Sequence, residues 1–148
     1  MTSIAQTMSI DWRCTHTWRR ASGNTVWCLI GCSIGDLGTI AFFQFTGIGW
    51  PVVAIMALAI MNGLLTSIAL ETAILRRQMA LNLAFKTAIG MSLISMIAME
   101  LAMNITDVVL TGGAVLTWWV IPFMLLAGFL APLPYNYWRL KALGKACH

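Results

Sequence analysis

Residues 50–75 read WPVVAIMALAIMNGLLTSIALETAIL, twenty-six consecutive positions that carry a single charge, Glu71. Coiled as a helix, this run is about 39 Å long, enough to cross a hydrocarbon core of about 30 Å. No period-two alternation runs along it, so it does not read as a strand of a membrane barrel. Its flanks agree. Trp50 stands at one boundary, and Pro51 suits a first helical turn, where a missing N–H costs nothing. Arg76 and Arg77 follow at the other end.

Outward from this run, three more apolar stretches of similar length predict helices: Trp27 to about Thr46, about Lys86 to Leu110, and about Val115 to Leu133. The expected fold class is all-α, a polytopic four-transmembrane-helix bundle. Residues 26–134 form the membrane domain, 1–25 an N-terminal cytoplasmic segment and 135–148 a C-terminal cytoplasmic tail. Composition points the same way. Of 148 residues, 59% are hydrophobic and 9% charged, against about 25% charge in a soluble domain, and mean hydropathy is +0.82. Nine basic and five acidic side chains cannot cover a water-soluble globule. The composition excludes an ordinary cytosolic enzyme, a disordered tail and a disulfide-stapled secreted module. The first 25 residues lack an apolar core before a small-residue cleavage site, so no cleaved signal peptide is expected.

The basic residues predict the orientation. Arg13, Arg19 and Arg20 precede the first span, Arg76, Arg77 and Lys86 flank the second turn, and Arg139, Lys141 and Lys145 follow the fourth. The other two connections, around Gly47-Ile48-Gly49 and Thr111-Gly112-Gly113, carry none. Both termini are therefore expected in the cytoplasm, with the chain in the inner membrane. The net charge of +4 is explained by topology and anionic lipid and gives no reason to expect nucleic acid. Trp50, Trp118 and Trp119 are expected at the outer boundary, and Trp27, Tyr135, Tyr137 and Trp138 at the inner one. Gly31, Gly35 and Gly38 give the first span a small-residue face that could pack within the bundle or against another copy.

Four of the five acids, Asp36, Glu71, Glu100 and Asp107, fall inside the spans. A carboxylate at the bilayer centre costs about 2.5–3.5 kcal/mol on insertion scales, and such residues mark pathways and ligand sites. Asp36 and Glu100 lie nearest the middle. Glu71 could simply pair with Arg76 or Arg77, and Asp107 could be an interfacial acid. At 100° per residue, Met96, Met99, Glu100, Met103, Asn104 and Asp107 share an arc of about 140° on the third span. Cys28, Cys32 and Asp36 stack at i, i+4 and i+8 on the first. Sulfur ligands select soft ions such as Cu(I). The candidate metal ligands are therefore Cys28, Cys32, Asp36, Met96, Met99, Glu100, Met103 and Asn104. Methionine and buried cysteine also pack cores without binding anything. In the tails, Cys14-Thr15-His16 and Cys147-His148 could hand over an ion; in the cytoplasm their thiols should be reduced.

Other chemistries lack their residues. The only histidines, His16 and His148, stand outside the spans, leaving no pair to ligate haem and no di-iron Glu-x-x-His. No P-loop for a nucleotide is present. No nucleophile–base pair shares a helical face, so a stand-alone enzyme is not expected.

The run Cys28-Leu29-Ile30-Gly31-Cys32-Ser33-Ile34-Gly35-Asp36 resembles the opening signature of a family of small four-helix membrane proteins catalogued as a domain of unknown function. Some of its members are labelled "copper oxidase". The likeness continues at Ser95, at Met99-Glu100 with Asn104, and at Pro134-x-Asn136 before the basic tail, covering about residues 25–148. The chain departs from the family pattern at Trp27, where a histidine is usual, at Asp36 for glutamate and at Met103 for aspartate. The resemblance implies a copper context, and these departures imply softer ligation. The cysteine pair is also similar, more distantly, to that of the mercuric-ion uptake proteins.

The expected function is to bind or move a soft metal cation, Cu(I) first, as a homo-oligomer or within a larger membrane complex. Two alternatives use fewer of these residues. One is a structural accessory subunit with no site of its own, and the other is proton-linked transport of a small solute, which needs only the carboxylates.

Overall fold

The computed structural model describes residues 12–142, apart from the side chain of Met91. These form five helices: α1 (Thr15–Thr46), α2 (Val52–Leu75), α3 (Leu81–Thr111), α4 (Ile121–Leu130) and α5 (Leu133–Ala142). No strand occurs among the described residues. Three helical stretches are long and apolar enough to cross a membrane: Thr15–Thr46, Val52–Leu75 and Ser92–Thr111. Their outward faces carry large apolar side chains in the open, among them Ile34, Phe45, Val53 and Val109, as a lipid-facing surface does.

Hydrogen bonds between helices give the topology. Ser67 Oγ donates to the Cys28 carbonyl at 3.3 Å, Thr66 Oγ1 to that of Gly31 at 2.6 Å, and Asn62 Nδ2 to Thr39 Oγ1 at 2.9 Å. As numbers rise on α1 they fall on α2, so the two run antiparallel. Asn104 on α3 donates to Asp36 on α1, and Ser92 on α3 donates to Glu71 on α2, which sets α3 parallel to α1. Asn136 on α5 reaches Thr25 on α1 at 2.7 Å. The chain thus runs up, down, up and down, with α4 and α5 sharing the fourth leg. Every described basic residue lies at the end holding the start of α1 and the close of α5.

The first pair is close because of glycine. A Cβ at Gly31 would overlap Ser67, and one at Gly35 would overlap the Asn62 backbone, whereas Gly38 meets nothing. The small-residue face therefore packs inside the bundle, and two of its three glycines do the work.

The structure corrects several expectations. The stretch 115–133 is not one helix: residues 115–117 are non-helical, and the helix runs only from Ile121 to Leu130. There are two causes. Val115 N–H donates to Asp107 and Leu116 N–H to Gln44, so these backbone groups are satisfied without a helix. Pro132 and Pro134 supply no N–H and interrupt the ladder between α4 and α5. At the other end, α1 begins at Thr15 rather than near Trp27. Its added turns bury Thr17 and Ala21, and Ala21 packs with Tyr137 and Leu140 of α5. Tertiary burial sustains a helix that its polar sequence would not. Tyr137 is fully buried, with its ring centroid 4.3 Å from Trp18 and 5.0 Å from Trp12. Cys14 is disulfide-bonded, where a reduced thiol was expected. Cys147 and His148 lie outside the described residues.

Candidate functional site

The two helical faces singled out above meet in the core. Asp36, Cys32, Met96, Met99, Glu100 and Met103 have no accessible surface, and Cys28 and Asn104 are nearly as buried. Asn104 Nδ2 joins α3 to α1 by donating to Asp36 Oδ1 at 2.9 Å, and it also donates to the Glu100 carbonyl at 3.0 Å. The amide is thereby held between the Asp36 carboxylate and the backbone of its own helix.

Donors end there. Both carboxylate oxygens of Glu100, Asp36 Oδ2 and Asn104 Oδ1 are buried with no hydrogen-bond partner. In a bilayer-embedded interior such acceptors call for a proton, a cation or an ordered water. Glu100 sits against α2 at Gly63, where any side chain would occupy the space of the carboxylate. The absent Cβ is what lets α2 close over this acid.

The acids and thiols form a file. Glu71 is an electrostatic neighbour of Cys28, Cys28 of Cys32, Cys32 of Glu100, Glu100 of Asp36, and Asp36 of Asp107. A little over two turns of α1, from Cys28 to Asp36, carry this file about 12 Å along the bundle. At its far end Asp107 is fully buried. Its carboxylate accepts Val115 N–H and Thr111 Oγ1, each at 3.2 Å. At the near end Glu71 Oε1 accepts Ser92 Oγ at 2.7 Å, and its charged neighbour is Arg139 of α5 rather than Arg76 or Arg77.

The sulfurs are collected too. Cys28, Cys32, Met96, Met99, Met103 and Met124 share one core cluster, and Met103 lies against Gly128 of α4. Among the described residues, no three His, Cys, Asp or Glu side chains converge as a metal site. Thioethers and a thiol therefore surround the carboxyl pair without enclosing a charged ligand set.

The sequence reading missed the contribution of α2 and α5. Asn62, Thr66, Ser67 and Glu71 recur every four or five residues on α2, a polar stripe that a helical projection displays. Gly63, Ser92 and Arg139 offered no comparable sign, because their importance lies in what faces them.

Fold and site together define an all-helical bundle whose surface suits a lipid bilayer and whose core holds carboxyl groups short of donors. The chain belongs to the family described as "Domain of unknown function (DUF4396)", whose model matches residues 17–145. No curated protein and no solved structure matches it.

Proposed function

We propose that this is a multi-pass inner-membrane protein that couples the passage of a small solute to proton exchange at the Asp36–Glu100 pair. One observation carries the reading: Glu100 is fully buried beside Asp36, and the weak Cys32 thiol is the one side-chain donor set against its carboxyl group. Two adjacent carboxylates in a low-dielectric core are not both charged unless a cation joins them. A proton is the cation that needs no further ligands. Asn104 steadies Asp36, and the file through Cys32 and Cys28 connects the pair to the polar end of the bundle. The protein acts here as a carrier, without catalysing a covalent reaction.

In this reading α4, with the turn before it and the start of α5, makes a fourth crossing, broken at Pro132 and Pro134. Both termini face the cytoplasm, as the basic residues gathered at one end favour. The disulfide at Cys14 argues the other way, since such bonds belong to oxidising compartments. Eight basic residues weigh more than one bridge. The protein works as a homo-oligomer, because one small protomer encloses little room for an aqueous path.

The test uses proteoliposomes loaded with a pH indicator and challenged with candidate solutes. Solute-dependent proton uptake by the wild type, lost in Glu100→Gln and Asp36→Asn, is the expected result. Uptake that survives both substitutions overturns the reading.

A second reading, Cu(I) as cargo, is favoured by the six sulfur side chains in one cluster. Anaerobic Cu(I) titration against a competing chelator decides it: stoichiometric binding lost in Cys28→Ser/Cys32→Ser supports copper. Equal behaviour of mutant and wild type returns the sulfurs to core packing.

A further inference from the structure

At the end of the bundle that carries the basic residues, α1, α2, α3 and α5 surround a partly enclosed cavity of about 280 Å³, lined by Asn24, Trp27, Cys28, Leu70, Glu71 and Arg139 among others. Its volume is at the lower edge of small-molecule sites. Two opposite charges face it without bonding to each other. Glu71 spends Oε1 on Ser92, while its Oε2 is buried with no partner. Arg139 Nε and Nη1 are buried with no partner as well. A carboxylate and a guanidinium that share a cavity and had only each other to satisfy would close into a direct pair. Held apart with their polar atoms idle, they fit a ligand that brings the complementary charge to each.

We propose that this cavity binds a zwitterion, with its ammonium group on Glu71 and its oxyanion on Arg139. Trp27 offers an aromatic face beside the ammonium, the Asn24 amide adds polar contact, and Leu70 with its neighbours Ile74 and Leu75 accepts a short aliphatic chain. An arginine fork suits a planar carboxylate or a phosphate equally, so the ligand is either a free amino-acid-like solute or the headgroup of an ethanolamine phospholipid. Cys28 belongs both to the cavity wall and to the file leading to Glu100. A zwitterion bound here would therefore stand at the foot of the proposed proton site. As a substrate assignment this rests on the transport reading; as a binding site it does not.

The experiment has two arms on the full chain. In detergent, L-leucine is titrated by calorimetry, beside isoamylamine and isovalerate, which each keep one charge. By native mass spectrometry, the protein purified from ethanolamine-lipid membranes is examined for retained phosphatidylethanolamine. Binding in either arm, weakened at least about tenfold in both Glu71→Gln and Arg139→Gln as loss of a charged hydrogen bond predicts, establishes the site, and the arm that responds names the source. Should Arg139→Gln fail to fold, Arg139→Lys keeps the charge and loses the fork. Binding in neither arm, binding unaffected by the substitutions, or equal binding of the single-charge analogues overturns the proposal. Leucine bound by Glu100→Gln protein without proton uptake in the wild type sinks the transport reading alone. Proton uptake with an intact response in Glu71→Gln and Arg139→Gln sinks this site alone.

Discussion

Glu100 and Asp107 lie on the same face of the same helix, about two turns apart, and both are fully buried. Their surroundings differ in one respect. Asp107 accepts a hydroxyl from the last residue of α3 and a backbone N–H from the segment that follows it, whereas Glu100 has no nitrogen or hydroxyl donor and only the Cys32 thiol against it. Asp107 thereby organises the 111–115 loop, which would otherwise leave Val115 N–H unsatisfied at the end of the bundle. Glu100 organises nothing local. It is held against Gly63, Cys32 and Asp36, poor in donors, which is the feature the proposed proton exchange uses. Burial alone does not separate a structural acid from a functional one. The count of donors does.

The comparison breaks most clearly in function. Glu100→Gln is expected to abolish solute-driven proton uptake while its unfolding temperature in detergent stays equal or rises, because an uncompensated carboxyl has been removed. Asp107→Asn is expected to keep the uptake. If both substitutions abolish it, the two acids are not different in kind. The stability arm has the opposite sign. Asp107→Ala strands the Val115 N–H and should lower stability by about 1–3 kcal/mol, with faster proteolysis in the loop following Thr111.

Gly63→Ala sharpens the contrast from the other side. Its methyl group meets the Glu100 carboxylate and should cost about 1–3 kcal/mol by overpacking. That loss should shrink in the double variant Gly63→Ala/Glu100→Ala, a coupling read directly from a mutant cycle. Additive losses would show that Glu100 can swing away. The smallest effect belongs to the Asn104–Asp36 hydrogen bond: Asn104→Leu should destabilise by about 0.6 kcal/mol, and at most about 1.7, the range measured for hydrogen bonds inside membrane bundles. No change at all would mean that Asp36 finds another donor.

Much of this site was legible in the chain. Four costly acids inside apolar runs, and a helical projection that places Met96, Met99, Glu100, Met103 and Asn104 together, identify the buried face of α3, and the i, i+4, i+8 series does the same for Cys28, Cys32 and Asp36. Their meeting was not legible. Asn104 and Asp36 are 68 positions apart, and no local pattern records that their helices touch. Nor could Glu71 be assigned to Ser92 and Arg139 over its neighbours Arg76 and Arg77, since sequence proximity at a helix end favours the wrong partners. The fourth leg was misread for a related reason. Hydropathy sees an apolar run from Val115 to Leu133, but the side chains of Asp107 and Gln44 satisfy its first backbone groups and so release it from the helix.

The amino-acid sequence by itself determined the bilayer-length apolar helices, the faces they bury and the end at which the positive charges gather. These depend on hydropathy and on a 3.6-residue period, properties that each segment carries alone. The tertiary structure decided which carboxyl group is satisfied and which is left waiting, where the fourth leg breaks, and that Glu71 and Arg139 share a cavity without closing into a pair. Those outcomes depend on donors and acceptors arriving from distant helices at distances of about 3 Å, and only the packed bundle sets such distances.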